Sequence, residues 1–477
     1  MKNNNAVRVR FAPSPTGHLH IGGLRAALFN WLFARHNNGT FLVRIEDTDI
    51  VRSEKKFVTS IVESLKWTGL ESDEPIVFQT DRMASYGVLI EKLLANGKAY
   101  RCFCSEQEIE ERRAQQESDE PIKKYDGFCR DKTDNPGQQK YVVRFKLPQD
   151  QQEITFNDLI RGPITVRIDQ LDDFIIMRSD GSPVYNFVVV VDDAHMHITY
   201  VIRGEDHISN TPKQILLYQA LGYDLPQFAH LPLIMGKSGQ RLSKRDAATS
   251  VDEYKAAGYL ADALINYLAR LGWSHGDQEI FTRDELITYF TLKGVGKSAA
   301  VFDIDKLQWV NSVYIKDTGS RELLKLLIAD VDPQFETKVP DWSDDQLFEL
   351  IDLYKPRVKT VLELAQELKL LYTAGYYQKD DLEKWVTKQT GSLLKAVIAQ
   401  LQTLEQFTAD EIKKIVQHVC KEQQVKLPIV AQPLRIAIIG KASGPGIFEL
   451  FAVLGKDFVI PRLQEFVQYL HNDIRFG

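Results

Sequence analysis

The chain carries its most informative stretch near its start, Pro13-Ser14-Pro15-Thr16-Gly17-His18-Leu19-His20-Ile21-Gly22-Gly23. Before it, Val7, Val9 and Phe11 alternate with arginines, which predicts a half-buried strand. After it, residues 24–35 contain helix formers and apolar residues without a breaker, which predicts a helix. The prolines and glycines in between predict a stiff, tightly turned loop that joins the strand to the helix.

The end of this loop has the composition of an anion-binding site. Gly22 and Gly23 let a phosphate group approach backbone N–H groups at the helix start, where the helix dipole also favours negative charge. His20 lies close enough to donate a hydrogen bond to a phosphate oxygen. An ordinary loop with a surface histidine is the alternative, but it leaves the convergence of so many special residues unexplained.

A second strand is predicted at residues 41–45, directly after the turn Asn37-Asn38-Gly39-Thr40. Strand, helix and strand then form a βαβ unit, which implies a parallel sheet with a right-handed crossover. The acidic cluster that begins at Glu46 falls at the carboxyl end of the second strand. Ligands of open α/β sheets bind at that edge, so we expect a ligand site there.

The sequence pattern changes along the chain and predicts five segments. Alternating strands and helices give way to charged, turn-rich sequence with short strand-like runs, and the chain becomes helical beyond residue 250. Within the second segment, we expect the apolar run at residues 187–191 to be a buried strand. The predicted segments are a first α/β half at 1–98, an inserted α+β subdomain at 99–200, a second α/β half at 201–250, and helical regions at 251–330 and 331–477.

Composition limits the function further. The 477 residues are 44% hydrophobic and carry a formal net charge of −6, which excludes general disorder and a generally basic nucleic-acid binder. Any nucleic acid must therefore meet a local basic surface, because affinity comes mainly from phosphate contacts. Four cysteines give no disulfide framework, and we find neither a signal-peptide core nor a membrane-spanning run. We expect a cytoplasmic protein without a membrane partner.

The opening stretch resembles the first signature of the class I aminoacyl-tRNA synthetases, in the form Pro-x-Pro-x-Gly-x-x-His-Ile-Gly-Gly. Its final glycine is typical of the glutamyl-tRNA synthetases. Far downstream, Arg241-Leu242-Ser243-Lys244-Arg245 is similar to the mobile second signature, which these enzymes write as Lys-Leu-Ser-Lys-Arg. The similarity extends over essentially the whole chain, including residues 181–187, 201–206 and 432–435. The chain is identified as a member of the bacterial glutamyl-tRNA synthetases.

The resemblance implies a class I Rossmann-type α/β catalytic domain with an inserted α+β acceptor-binding subdomain and an all-helical C-terminal anticodon-binding region. It also implies ATP-dependent ligation of L-glutamate to tRNA(Glu) through a glutamyl-adenylate, with Mg²⁺ accompanying ATP and with activation that requires bound tRNA. We expect a monomer.

The resemblance also implies an ATP site built from both signatures, at Thr16, His20, Gly22, Gly23, Ser243 and Lys244. Lys244 would meet the charge that develops on the leaving pyrophosphate, since activation needs positioning and charge stabilisation more than acid–base chemistry. Arg241, a further catalytic candidate, stands where the family usually has lysine, and Asp246 stands where it tends to have histidine. Arginine keeps the charge at position 241 but changes its geometry, so the resemblance implies the role of Lys244 more firmly than that of Arg241. The acidic Asp246 affects the energetics of the loop and not the type of reaction.

The family's glutamate-binding positions match residues whose charges complement the substrate. Glu46 suits the α-ammonium group, with Ser14 as a second acceptor, and Tyr185 supplies a hydroxyl donor. Arg10 and Arg203 suit the two carboxylates, because a guanidinium group can clamp a carboxylate through two hydrogen bonds. The sequence leaves open which arginine takes the side chain, and we favour Arg10 because its strand leads directly into the ATP loop.

Cys102, Cys104 and Cys129 have the spacing of a zinc knuckle, because closely spaced thiolates converge readily on tetrahedral zinc. Glutamyl-tRNA synthetases that bind zinc usually complete the set with a histidine at the position of Asp131. We therefore predict one zinc ion held by the three cysteines and Asp131. Tyr125 is the rival fourth ligand, and reduced free thiols are the alternative to a metal site.

In the C-terminal region, residues 354–359 place Tyr354 beside lysines and an arginine, which favours stacking and phosphate contacts with the anticodon arm. A solvated helix end is the alternative. Rival functions are a non-discriminating enzyme that also charges tRNA(Gln), and a small-molecule nucleotidyltransferase of the same fold. The helical region disfavours a glutaminyl enzyme and the shortened paralogue that modifies a tRNA base. The two signatures together disfavour a non-catalytic RNA-binding protein.

Overall fold

The computed structural model describes residues 6–49, 53–115, 124–132, 140–240, 250–373 and 375–472. The chain divides into two compact units. Unit 1 comprises residues 1–252 and 265–303, and unit 2 comprises residues 253–264 and 304–477.

The strands of the described residues all lie in unit 1. Their bounds are β1 Arg8–Phe11, β2 Thr40–Ile45, β3 Val77–Phe78, β4 Ala99–Cys102, β5 Val142–Phe145, β6 Glu153–Asp158, β7 Gly162–Arg167, β8 Ile175–Met177, β9 Tyr200–Gly204, β10 Gln227–Leu231, β11 Ile234–Met235 and β12 Ala300–Val301.

The α-helices are numbered in the same way, and short 3₁₀ and π turns are left unnumbered. The first ten are α1 Ile21–His36, α2 Lys55–Trp67, α3 Met83–Ala95, α4 Glu106–Ala114, α5 Tyr185–His195, α6 Thr211–Leu221, α7 Val251–Ala256, α8 Ala261–Arg270, α9 Arg283–Tyr289 and α10 Ile304–Asp317. The others are α11 Ser320–Leu326, α12 Phe335–Lys338, α13 Asp344–Tyr354, α14 Val361–Tyr372, α15 Lys379–Trp385, α16 Thr390–Gln402, α17 Ala409–Glu422, α18 Leu427–Ile439, α19 Ile447–Leu454 and α20 Lys456–Asn472.

The opening βαβ unit has the predicted form. β1 pairs with β2 in parallel, with Arg10 opposite Leu42, and β2 pairs with β3 in parallel. Val9 and Phe11 are buried, and α1 is buried along most of its length because it packs on the sheet with few polar residues. The carboxyl ends of β1 and β2 therefore lie side by side, next to the loop that precedes α1.

A second sheet of unit 1 has the order β7-β6-β10-β9, with β9, β10 and β6 parallel and β7 antiparallel to β6. The β6–β7 hairpin comes from the sequence range that we predicted to be inserted, yet it extends the sheet that contains β9. Thr199 N donates to Arg8 O and Arg8 N donates to Thr199 Oγ1, which brings the residue before β9 next to β1. The inserted range also forms a separate antiparallel sheet, β4-β5-β8.

The prediction of a buried strand at residues 187–191 is wrong, because this run lies inside the helix α5. All residues from Phe187 to Asp193 are buried, so this part of α5 has no solvent-exposed face. An apolar run that is buried on every side has no helical periodicity, and its β-branched residues favour a strand. Tertiary packing overrides that preference for a strand. The apolar run is followed by two buried carboxylates, Asp192 and Asp193.

Unit 2 is almost entirely helical, as predicted from the spacing of its apolar residues. Ser343 and Gln346 form a complete capping box at α13, and Thr408 accepts a hydrogen bond from the Glu411 N–H at α17. Tyr354, at the end of α13, is 1% exposed, so its ring is unavailable for stacking on a nucleotide base. Our expectation that Tyr354 contributes an aromatic surface is therefore wrong, whereas Arg357 beside it is exposed.

Candidate active site

The loop after β1 leads into a helix start whose first amide groups have no intrahelical partner. His20 is the N-cap of α1 in extended conformation, its side chain forms no capping hydrogen bond, and the first turn contains no acidic residue. The N–H groups of Ile21, Gly22 and Gly23 precede the first intrahelical donor, Leu24, which bonds to the His20 carbonyl oxygen. A side chain at Gly22 would meet no atom within 4 Å, so the space in front of this turn is open.

Backbone contacts hold this loop against neighbouring segments. The Pro13 carbonyl oxygen accepts a hydrogen bond from Glu46 N at 2.9 Å, which brings the end of β2 to the loop. On the other side, Leu19 O accepts from Val251 N at 2.9 Å, and His20 forms a β-bridge with Ser250. The chain therefore returns to the first signature directly after residues 241–249. Arg241, Ser243, Lys244 and Asp246 lie outside the described residues.

One cavity of unit 1, about 240 Å³ in volume, gathers all five residues that we predicted to bind the amino acid. It is lined by Arg10, Phe11, Ala12, Ser14, Ala26, Glu46, Tyr185, Ile202, Arg203, Gly204 and His207. These residues come from the carboxyl ends of β1, β2 and β9, the loop after β1, the first turns of α1, the start of α5 and the 3₁₀ turn after β9. The predicted ATP residues Thr16, His20, Gly22 and Gly23 lie outside this lining, on the adjacent loop and helix start.

Arg10 is held by a buried carboxylate. Its Nε and Nη2 atoms donate to the two oxygens of Asp193 at 3.0 and 3.2 Å, and both side chains are almost fully buried. Arg44 donates to Asp193 Oδ1 at 2.6 Å and to Glu46 Oε1 at 3.1 Å. Burial opposes the ionised form, but Arg10 and Arg44 hold the pKa of Asp193 below its usual value. Burial raises the pKa of Glu46, although Arg44 opposes that shift.

Arg203 is held by uncharged groups instead. Its Nε donates to His230 Nε2 at 3.2 Å, and its Nη2 donates to Thr211 Oγ1 at 2.8 Å. Its Nη1 is buried and has no hydrogen-bond partner among the described residues. Burial lowers the pKa of Arg203, and no carboxylate of the described residues forms an ion pair with it.

Tyr185 and His207 form a pair at the cavity wall. The Tyr185 hydroxyl lies 3.0 Å from His207 Nδ1. Burial, with the positive charge of Arg203, lowers the pKa of His207 to about 4, so the ring is neutral at pH 7 and one of its two nitrogens carries no proton. Burial also raises the pKa of Tyr185 to about 12, so the phenol stays protonated.

The three predicted cysteine ligands converge elsewhere in unit 1. The Sγ atoms of Cys102, Cys104 and Cys129 lie within 4.8 Å of one another, and Cys104 Sγ is 3.5 Å from Cys129 Sγ. The Tyr125 hydroxyl is 3.3 Å from Cys102 Sγ and 3.9 Å from Cys104 Sγ. Asp131 is not brought into this cluster, because its exposed carboxylate forms an ion pair with Lys146 at 3.0 Å.

Comparison with known proteins identifies the family. A family model described as the catalytic domain of class I tRNA synthetases (E and Q) matches residues 6–309, and one described as an anticodon binding domain matches residues 320–467. Relatives named glutamate–tRNA ligase from Thermodesulfovibrio yellowstonii and Pelobacter propionicus are each 47% identical, over 97% of this chain and 99% of theirs. The chain belongs to the glutamate–tRNA ligase family.

A solved structure of a family member agrees with the observed fold. It is titled as a glutamate tRNA ligase from Elizabethkingia meningosepticum in complex with its amino acid, and it is 32% identical with a TM-score of 0.86. The match covers 98% of this chain and 100% of that chain. The class I α/β catalytic domain followed by a helical anticodon-binding domain is therefore confirmed, and so is the expected enzyme class. Class I synthetases use ATP with Mg²⁺.

Several expectations stay predictions. They are the five segment boundaries, the monomeric state, the cytoplasmic location and the roles of individual site residues. Among the residues that the structure describes, every helix is too short or too polar to span a bilayer.

Sequence reasoning missed the residues that hold the two arginines. Asp193 ends an apolar run, and His230 interrupts another, at Phe228-Ala229-His230-Leu231. A single carboxylate or imidazole inside such a run is an available signal, since buried polar groups need partners. Their partners lie in distant parts of the chain, however, so the signal marks these residues without saying what they bind.

Proposed function

We propose that the 240 Å³ cavity binds L-glutamate and that the enzyme activates it there with ATP before transfer to tRNA. The observation that carries the proposal is the convergence of two buried arginines and one buried carboxylate, Arg10, Arg203 and Glu46, on one small cavity. Glutamate has two carboxylates and one ammonium group, so each buried charge has a counterpart. The family supports the same substrate, since its members carry glutamate in their names.

To select glutamate over glutamine, the site needs a charged donor that binds the side-chain carboxylate of glutamate but not the neutral amide of glutamine. Arg203 is suited to this role because its Nη1 has no partner among the described residues and no carboxylate of those residues forms an ion pair with it. Arg10, which the sequence favours, keeps one nitrogen outside its two hydrogen bonds to Asp193. We assign one guanidinium contact to each and test below which of them decides between glutamate and glutamine. Glu46, with Ser14, receives the α-ammonium group, and Tyr185 supplies a further donor.

ATP occupies the helix start next to this cavity in our proposal. Backbone N–H groups at Gly22 and Gly23 and the positive end of the α1 dipole bind its phosphates, and His20 and Thr16 are exposed beside them. Mg²⁺ supplies additional charge neutralisation on the phosphates. Because Glu46 and the loop are joined at Pro13 O, the amino acid and the nucleotide are held side by side for in-line attack. Lys244, Ser243 and Arg241 keep the roles expected from the second signature.

The direct test is aminoacylation of total tRNA with labelled glutamate, followed by identification of the charged tRNAs. Charging of tRNA(Glu) alone supports the proposal, and additional charging of tRNA(Gln) identifies a non-discriminating enzyme. The anticodon binding domain matched in unit 2 argues against a small-molecule nucleotidyltransferase. Pyrophosphate exchange without any tRNA, together with no charging, would overturn the proposed function.

We also propose that Cys102, Cys104 and Cys129 bind one zinc ion. Three sulfurs around zinc lie roughly 3.8 Å apart when each Zn–S bond is about 2.3 Å, which fits the observed sulfur positions. Tyr125 is better placed than Asp131 to be the fourth ligand, because its hydroxyl already lies beside two of the sulfurs. The zinc would fix the fold of the turn that carries Cys129.

Elemental analysis of metal-replete enzyme tests this site. We expect about one zinc per chain, retained in Asp131→Ala and lost or weakened in Tyr125→Phe, since a closed structural site keeps its metal. Less than about a tenth of a zinc per chain in the unmodified enzyme rejects the metal site. Loss of zinc in Asp131→Ala with retention in Tyr125→Phe returns the fourth ligand to Asp131.

A further inference from the structure

The guanidinium group of Arg203 is oriented by a buried hydrogen-bond chain that begins at Asp158. Asp158 lies at the end of β6 and His230 lies in the neighbouring β10, and the side chains of both are fully buried. Asp158 Oδ2 accepts from His230 Nδ1 at 2.6 Å and from His230 N at 3.0 Å. Asp158 Oδ1 accepts from the backbone N–H groups of Ile160 and Arg161 at 3.0 and 2.8 Å. The carboxylate is therefore fixed by four donors.

This arrangement decides which nitrogen of His230 carries the proton. Nδ1 must donate to Asp158, because the ionised carboxylate can only accept. Burial lowers the pKa of His230, so the ring is neutral and Nε2 is an acceptor. The charged groups that face it are Asp158, Arg203 and Arg161.

The acceptor on His230 meets the donor on Arg203. His230 Nε2 lies 3.2 Å from Arg203 Nε and 3.1 Å from Thr211 Oγ1, and Thr211 Oγ1 in turn accepts from Arg203 Nη2. One edge of the guanidinium plane is thus fixed by His230 and Thr211. The third nitrogen, Nη1, is buried without a partner among the described residues, and Arg203 lines the cavity.

We propose that His230, held by Asp158, is a positioning residue that sets the plane of the Arg203 guanidinium, so that its Nη1 meets a carboxylate of the amino-acid substrate. This inference rests on the proposed binding of glutamate in the cavity. A neutral acceptor suits the task better than a carboxylate would, because it directs the guanidinium group without neutralising it. No direct ion pair with a carboxylate of the described residues then competes with the substrate for Arg203.

Two substitutions at one position separate positioning from a purely structural role. His230→Asn keeps a donor near the Nδ1 position for Asp158 but removes the acceptor for Arg203. His230→Gln places an acceptor near the Nε2 position and loses the donor to Asp158. We expect His230→Asn to raise the KM for glutamate about tenfold or more, with the KM for ATP unchanged, and His230→Gln to raise it much less.

A purely structural role predicts that His230→Gln is more damaging than His230→Asn. If the pair serves only to join β6 to β10, His230→Gln should lower Tm more than His230→Asn, and the KM for glutamate should follow Tm. Phe228→Leu, a buried change in β10 away from Arg203, provides the matched control for lost stability. Equal KM effects in both His230 variants, or a KM for glutamate that follows Tm across the three variants, would overturn the inference.

Two further variants keep the test decisive. Thr211→Val removes the second contact of Arg203 with nearly the same volume, and it should also raise the KM for glutamate if His230→Asn does not fold. Arg203→Gln separates the proposed binding of glutamate by Arg203 from the positioning of Arg203 by His230. No effect of Arg203→Gln on glutamate use rejects the proposed function of this arginine and the positioning role together. A large effect of Arg203→Gln with none in His230→Asn and Thr211→Val rejects the positioning role alone.

Discussion

Arg10 and Arg203 line the same cavity, but their surroundings differ in charge. Arg10 shares the buried Asp193 with Arg44, which also pairs with Glu46 and Asp192. With Arg82, which pairs with Asp192, three positive and three negative groups balance within this cluster. Arg203 is held by the neutral His230 and Thr211. A substrate carboxylate therefore supplies the first direct ion-pair partner for Arg203 among the described residues, whereas at Arg10 it competes with one already present. The comparison teaches that a buried arginine can be placed for stability or kept available for a ligand, depending on its partner.

Asp193→Asn tests the charge balance around Arg10. Asp193→Asn leaves Arg10 and Arg44 buried next to each other without their shared counter-charge, and we expect it to lower the free energy of unfolding by about 3–5 kcal/mol. Urea unfolding at pH 7 measures this change. Asp169→Asn, which breaks an exposed pair with Arg167, is the control and should change the free energy of unfolding far less. A similar small cost at Asp193 would show that the cluster is not balanced by this carboxylate.

Substitution of each arginine tests which side of the cavity decides specificity. We expect Arg203→Gln and Arg10→Gln to lower kcat/KM for glutamate by on the order of 10²-fold or more, because a buried charged hydrogen bond is lost. The variant at the arginine that binds the side-chain carboxylate should also shift the glutamate-to-glutamine ratio by more than tenfold.

Steady-state charging with both amino acids gives these values, with the exposed Arg167→Gln as the matched control. If neither buried arginine changes the ratio by tenfold, guanidinium clamps do not explain the specificity.

Lys244 sharpens the contrast between binding and catalysis. Lys244→Ala should lower kcat by on the order of 10²-fold while the KM for glutamate changes little, because its charge acts mainly as pyrophosphate departs. Pre-steady-state formation of the adenylate, measured with tRNA present, separates the two quantities. Lys56→Ala, at an exposed lysine of α2, serves as the control. An unchanged kcat with a raised KM would assign Lys244 to ground-state binding.

The pH dependence of stability reports on the neutral groups around Arg203. The folded-state pKa of His207 is about 4, below its ordinary value of 6.5, so the unfolded chain binds a proton first as the pH falls. The contribution of His207 is therefore fully present above about pH 6.5 and is lost as the pH falls toward 4. We expect His207→Asn to flatten this part of the stability profile, measured by urea unfolding from pH 8 to 4. Parallel profiles for both proteins would show that His207 is not held neutral.

Prediction from sequence succeeded where the evidence lies within one element or one loop. The alternation before Pro13 and the unbroken run after Gly23 predicted β1 and α1, and the position of Glu46 after β2 placed it at the cavity. It failed at residues 187–191, because complete burial removes the periodicity by which a helix is recognised. It also assigned an aromatic surface to Tyr354, although packing in unit 2 buries that ring.

The sequence by itself determined the class of the protein, the two signatures, and the charges that a glutamate site needs, since these depend on residue type and spacing along the chain. The tertiary structure alone decided that Asp193 holds Arg10, that His230 faces Arg203, and that Tyr125 lies nearer than Asp131 to the cysteines. Each of these contacts joins separate elements whose approach depends on how sheets and helices pack. Local propensity carries no information about that packing. The sequence therefore does not distinguish an arginine whose charge is neutralised within the protein from one whose charge is available to a ligand.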